Sequence, residues 1–200
     1  MIGGGLVFAA GVLMWGHWRE AAMRKRVVGA GKIGAMEEDG CCWLDLEAVA
    51  SVELTSENPD FPIEDAFTGH HDVKQVGRPH ACRGWSAGTV GPQTIMLRFD
   101  QPQAIQKIRV RFSESETERS QEFALRCFLQ ADNPGPVSPG APGESREIVR
   151  QQWTFSPGGS IEEMEEYAVN LRGVSAIELW IDPDRGRNRV RATLAELRVC

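Results

Sequence analysis

The run Gln93-Thr94-Ile95-Met96-Leu97-Arg98-Phe99-Asp100-Gln101-Pro102-Gln103-Ala104-Ile105-Gln106-Lys107-Ile108-Arg109-Val110-Arg111-Phe112 decides the fold class. Ile95, Leu97 and Phe99 alternate with Thr94, Met96 and Arg98; beyond Asp100 to Pro102 the alternation resumes as Ile108, Val110 and Phe112 against Lys107, Arg109 and Arg111. Successive side chains of a strand project from opposite faces, so each run buries one apolar row and leaves its charged row in water. A helix would need apolar positions three and four apart, whereas here they stand two apart with β-branched residues among them. The expectation is two half-buried strands, separated by a turn at Asp100 to Pro102, in a sandwiched sheet.

The same pattern recurs outward from this run. Phe123, Leu125 and Cys127 alternate with Glu122, Ala124 and Arg126, and Ile148, Val149, Trp153 and Phe155 restore β character after a breaker-rich insertion from 130 to 145. Tyr167, Val169 and Leu171 form one further run, Ile177, Leu179 and Ile181 another, and Leu194, Leu197 and Val199 the last. Ser156-Pro157-Gly158-Gly159, Gly173 and Asp182-Pro183-Asp184 are the intervening turns. Upstream, the domain starts near Trp43, passes a loop at Thr55 to Pro62 and a short turn or strand at Ile63 to Phe67, and then enters long loops around a single anchor, Trp85. About eight strands with frequent turns predict an all-β, antiparallel β-sandwich of jelly-roll type over residues 43 to 200. Residues 1 to 40 read as a poorly structured or helical N-terminal tail and linker, with a weak membrane segment or a non-native extension as the alternatives.

Two hundred residues with 42% hydrophobic and 25% charged side chains suit one domain plus such a tail. A net charge of −6 and a pI near 5.3 disfavour nucleic acid, whose phosphates require clustered positive charge. Cys41, Cys42, Cys82, Cys127 and Cys200 form no close-set disulfide framework; reduced thiols in a cytoplasmic protein are the simplest reading, and a clasp between Cys41 or Cys42 and Cys200 is the sharper one. Ile2 to Trp18 is apolar and is followed by Arg19, Arg24, Lys25 and Arg26, as a membrane anchor would be. Its five glycines and its length, short of the ~20 apolar residues that span a bilayer, disfavour that alternative. Gly29-Ala30-Gly31-Lys32-Ile33-Gly34 matches the dinucleotide fingerprint literally, but Glu37 to Gly40 stops any helix that should follow, so a flexible linker is preferred.

Trp85 in its loop, Gly91 to Phe99 leading through Pro102 to Ile105-Gln106-Lys107-Ile108-Arg109-Val110, and the closing Ala195-Glu196-Leu197-Arg198-Val199 together resemble the discoidin or galactose-binding-like superfamily. That superfamily includes coagulation-factor C-type domains and bacterial carbohydrate-binding modules, and the resemblance covers about residues 43 to 200. It implies a β-sandwich that binds through loops at one end, most often a sugar, sometimes a lipid head group or a protein. It also implies a structural calcium between an Ala-Phe-Asp-Gly-like loop, here Ala66-Phe67-Thr68-Gly69, and a glutamate of the final strand, here Glu196. Thr68 stands where the aspartate is usual, which removes a charged oxygen from a hard-cation site; Asp65 or Asp72 could compensate.

A sugar site sets an aromatic face against the C–H side of the ring and bonds its hydroxyls with planar polar groups. Trp85 and Trp153 are the candidate platforms, with core burial the competing role for both. Arg83, Arg119, Gln121, Glu122 and Gln152 are the candidate polar partners. His70, His71, His80 and Cys82 lie close together but match no standard zinc spacing. The acidic pairs Glu162-Glu163 and Glu165-Glu166 read as a polar approach to a strand rather than as hydrolytic carboxylates. The expected function is a non-catalytic carbohydrate-binding module that recognises a glycan through loops at one end. A protein-interaction or assembly domain on the same fold is the alternative, so the expected partner is a glycan or a protein.

Overall fold

The computed structural model describes residues 42–67, 84–130, 144–187 and 189–200. Among them are two single-turn helices, α1 (Leu46–Val49) and α2 (Glu64–Phe67), and the strands β1 (Ala50–Leu54), β2 (Trp85–Val90), β3 (Gln93–Ser113), β4 (Arg119–Leu129), β5 (Glu144–Phe155), β6 (Glu162–Asp182), β7 (Arg191–Leu194) and β8 (Glu196–Val199). Asp45 caps α1 by accepting the Ala48 amide at 3.3 Å. Of residues 63 to 67, read as a turn or strand, Ile63 is a turn and 64–67 form α2, with Pro62 ahead of it and Glu64 and Asp65 in its first turn, where negative charge suits a helix N-terminus.

The two longest strands, β3 and β6, each of 21 residues, belong to two layers at once. The first part of β3 pairs with β1 and with the second part of β6, which pairs with β4, and β4 with β5 at the edge. The second part of β3 pairs instead with β8 and with the first part of β6. A five-stranded layer thus faces a three-stranded one, while β2 and β7 make a separate two-stranded ribbon. The predicted turn at Asp100 to Pro102 is therefore a bulge within one strand. Between the Arg98–Ala176 and Gln103–Val174 pairs β3 advances five residues while β6 advances two, and below Gln103 the excess passes to β6. Pro102 lacks the N–H a ladder needs, so the break falls there, but the chain changes layer rather than direction.

The inward rows meet as the alternation requires. Ile95, Leu97, Ile108, Val110, Phe112, Phe123, Leu125, Cys127, Ile177, Leu179, Ile181, Leu197 and Val199 are all buried. Phe112 of the three-stranded layer lies 5.2 Å from Phe123 of the five-stranded one, ring centre to ring centre. Each such side chain removed from water contributes about 1.5–3 kcal/mol. Cys127 sits in this core as a free thiol whose pKa burial pushes up to about 12, so it is inert. Cys42 is free and exposed, whereas Cys200 is disulfide-bonded to a partner outside the described residues. The expectation of reduced thiols is corrected at Cys200, and Cys42 is not its clasp.

No helix among the described residues is long and apolar enough to cross a membrane. The apolar run 2–18, the glycine pattern at 29–34, and Cys41, Thr68, His70, His71, Asp72, His80, Cys82 and Arg83 lie outside the described residues.

Candidate binding site

The sequence-nominated residues divide between the two faces of the five-stranded layer. Gln121 pairs with Trp153 and Glu122 with Gln152, so the first pair points between the layers and the second points outward. Trp85 is 1% exposed and leads β2 against Leu194, which makes it a core residue; its ring faces are not available as a platform. Arg119 is also buried. Its Nη1 donates to the Arg191 carbonyl at 2.9 Å and its Nη2 to Thr193 Oγ1 at 3.0 Å. Its Nε stands 3.1 Å from the Glu114 carboxylate, off the line of a hydrogen bond, so that pairing is electrostatic. Burial pulls its pKa down from the usual arginine value, opposed by Glu114 and Asp184. Arg119 is thus a tether from β4 to β7 rather than a ligand contact. Gln121 is likewise enclosed.

Gln152 and Glu122 form part of a surface cluster. Arg150 donates to Glu122 at 3.1 Å, and Arg185, from the turn after β6, reaches the same carboxylate at 3.5 Å and also donates to Gln152. The Arg150 guanidinium lies over the ring of Trp180 at 5.5 Å. Cross-strand register explains the contact: Thr94, Trp180, Ala124 and Arg150 make one outward row over β3, β6, β4 and β5. Ala124, itself buried, is small enough for Arg150 to reach across it to the indole. In the next row Arg126 meets Glu178 at 2.9 Å and Glu147 at 3.2 Å, and Arg150 closes the chain to Glu147 at 3.1 Å. The result is a flat patch of one indole framed by carboxylates, guanidinium groups and an amide.

Exposed ion pairs of this kind contribute about 0–1 kcal/mol each, so their partners can be exchanged for ligand hydroxyls at small cost. The side chain of Arg185 is 61% exposed, which makes its end of the patch the most readily rearranged. Trp180, Arg150 and Arg185 were missed from the sequence. Trp180 had a signal, since it shares the outward phase of Glu178 between the buried Ile177, Leu179 and Ile181. The two arginines had none.

Glu196 does not fit the calcium role the resemblance assigned to it. It is 4% exposed, and its carboxylate oxygens face Arg111 Nε at 3.3 Å and Arg109 Nη1 at 3.7 Å. A hard dication at those oxygens would stand beside two guanidinium groups. Asp65 is exposed on α2, and no group of three His, Cys, Asp or Glu among the described residues is arranged to hold a metal ion.

No protein-family model and no curated protein matches this sequence. Solved structures do match. A family 32 carbohydrate-binding module from a family 31 glycoside hydrolase of Clostridium perfringens superposes with a TM-score of 0.50 at 14% identity, over 78% of this chain and 93% of that one. A second family 32 module produced by Clostridium perfringens, in complex with GlcNAc-α-1,4-galactose, gives 0.50 at 10% identity over 78% and 93%. At these identities the likeness is one of fold. Two bent strands carrying a five-stranded layer over into a three-stranded one give the chain an antiparallel β-sandwich whose fold is like that of these family 32 modules.

Proposed function

We propose that this chain is a non-catalytic carbohydrate-binding module. The glycan lies on the outer face of the five-stranded layer, at the end where β4 begins and β5 and β6 finish. The observation that carries this reading is the linked set of the half-buried Glu122 with the exposed Gln152, Arg150 and Arg185, in which Arg150 lies over the Trp180 ring. An indole takes the C–H face of a pyranose, and planar amide, carboxylate and guanidinium groups take its hydroxyls. The fold neighbours, themselves carbohydrate-binding modules, agree with it. Hydrolysis suits the patch poorly, because a general acid needs a raised pKa. Here the hydrogen bond from Arg150, joined by Arg126, holds Glu147 below the usual carboxylate range.

The test is isothermal titration with galactose, GlcNAc and GlcNAc-α-1,4-galactose, followed by the same titration of Trp180→Ala. Binding weakened by about tenfold or more, with the far-ultraviolet circular dichroism unchanged, is the expected result. A wild-type chain that binds none of them at millimolar concentration and instead captures a protein would overturn the reading in favour of an interaction domain.

A further inference from the structure

The flank of the sandwich between β5, the edge of one layer, and residues 162–171 of β6, the edge of the other, is lined by polar side chains on the inward face. Trp153 is half-buried there, its ring 5.6 Å from Phe112 and 4.9 Å from Phe123. The Tyr167 hydroxyl donates to Gln151 Oε1 and so latches the two edges together. Glu165 pairs with Val110 and Glu163 with Phe112, which puts both carboxylates on the inward face beside fully buried neighbours. Ser160 donates to Glu163 at 2.8 Å, while Glu165 makes no hydrogen bond or ion pair among the described residues. Burial, and then the charge of Glu165, push the Tyr167 phenol above its ordinary pKa. Behind this rim Gln121, the cross-strand partner of Trp153, is 0% exposed, and neither atom of its amide has a hydrogen-bond partner among the described residues.

A buried amide without partners lowers stability, so its presence behind the half-buried Trp153 calls for a role. We propose that this flank is a second binding site, for a ligand that carries a protonated amine beside hydroxyl groups, as an amino sugar does. The indole of Trp153 and the unpaired carboxylate of Glu165 together attract an ammonium. A sugar hydroxyl both donates and accepts, which matches an amide offering an N–H and a carbonyl, and Tyr167 and Gln151 can exchange their mutual bond for ligand hydroxyls. The sign of the charge is set by Glu163 and Glu165, and the net charge of −6 favours approach of a cation. Arg119, a cation on the inward face of β4, is held by Glu114 and β7. The site is separate from the outer patch, because Gln121 and Trp153 project from the opposite face of the sheet to Glu122 and Gln152.

The probe is a short glucosamine oligomer at pH 6, compared with its fully N-acetylated counterpart by isothermal titration and tryptophan fluorescence. The free-amine oligomer binds at least about tenfold more tightly, and Glu165→Gln removes that advantage while the charge control Glu53→Gln does not. Gln121→Leu folds with an unchanged or higher melting temperature and loses the advantage of the free-amine oligomer. Equal binding of the two oligomers, no binding of either, or full affinity in Glu165→Gln would overturn the proposal and leave the outer-face reading standing. Should Gln121→Leu melt lower and still bind, the amide is satisfied within the core, by water for example, and the site as drawn is wrong.

Discussion

Gly84 enters β2 at φ +120°, and a Cβ built on it would stand 2.2 Å from the Leu194 carbonyl oxygen and 2.9 Å from that of Ala195. Both atoms are backbone, one at the end of β7 and one in the residue after it, so no side chain can swing aside. Gly84→Ala should cost about 3 kcal/mol or more, read as a lowered urea midpoint, since it combines a forbidden dihedral with a clash. A change within 1 kcal/mol, as an ordinary surface substitution gives, would show that β2 and β7 separate easily. Contacts of this kind are beyond sequence, where a lone glycine ahead of Trp85 reads only as loop. Periodicity was more informative than polarity for other residues. Arg119 and Gln121 share the phase of Phe123, Leu125 and Cys127, so alternation alone sends them inward, yet their polar character nominated them as ligand contacts. Glu122 and Gln152 lie in the outward phase, and the structure leaves them on the surface. What no local pattern could tell is which guanidinium groups would join them, because Arg150 and Arg185 arrive from different elements.

The bend shared by β3 and β6 shows the same boundary at the level of elements. Inward residues are odd-numbered from Ile95 to Ile105 and even-numbered from Ile108 to Phe112, and that change of phase, with Pro102 nearby, announces a break in the ladder. Whether the chain then reverses or crosses to another layer depends on its pairing with β6, some seventy residues away, and local sequence does not hold that. On β6 the bend is made by two residues with positive φ, Asn170 at 47° and Gly173 at 69°. Asparagine tolerates the left-handed region and β-branched residues do not. Asn170→Gly should therefore stay within about 0.5 kcal/mol of the wild type, and Asn170→Val should lose about 1–2 kcal/mol by urea denaturation. Equal stability of the two variants would mean that bulge position, rather than dihedral preference, sets where β6 crosses.

Over the whole molecule, the excess of acid implied by a net charge of −6 hides two outer faces on which carboxylates are matched to cations. The hydrogen bond from Arg98, at 2.8 Å, lowers the pKa of Glu53, and those from Arg150 and Arg126 lower that of Glu147. Burial raises Glu166, but Arg109, donating at 2.7 Å, and Lys107, at 3.1 Å, outweigh it and leave its pKa below the ordinary value. A carboxyl group whose folded pKa lies below its unfolded one binds protons first in the unfolded chain. Its contribution is present above the unfolded value, near 4.3, and is lost as pH falls through the folded value. Glu47, raised by burial and by Asp45 and Glu64, works the other way and offsets part of this loss. Glu53 and Arg98 are more than half exposed, so solvent and salt screen them heavily; Glu166, with its side chain 30% exposed and Arg109 at 18%, is screened least. Urea midpoints measured from pH 7 to pH 3 should hold steady to about pH 5 and then fall. Glu166→Gln should start lower at neutral pH and fall less steeply, because the proton uptake it removes belongs to the acid limb, while Glu53→Gln should track the wild type. Parallel acid limbs for Glu166→Gln and the wild type would mean that Glu166 is no better coupled to folding than a surface carboxylate, and that the three-stranded face is held by its apolar row alone.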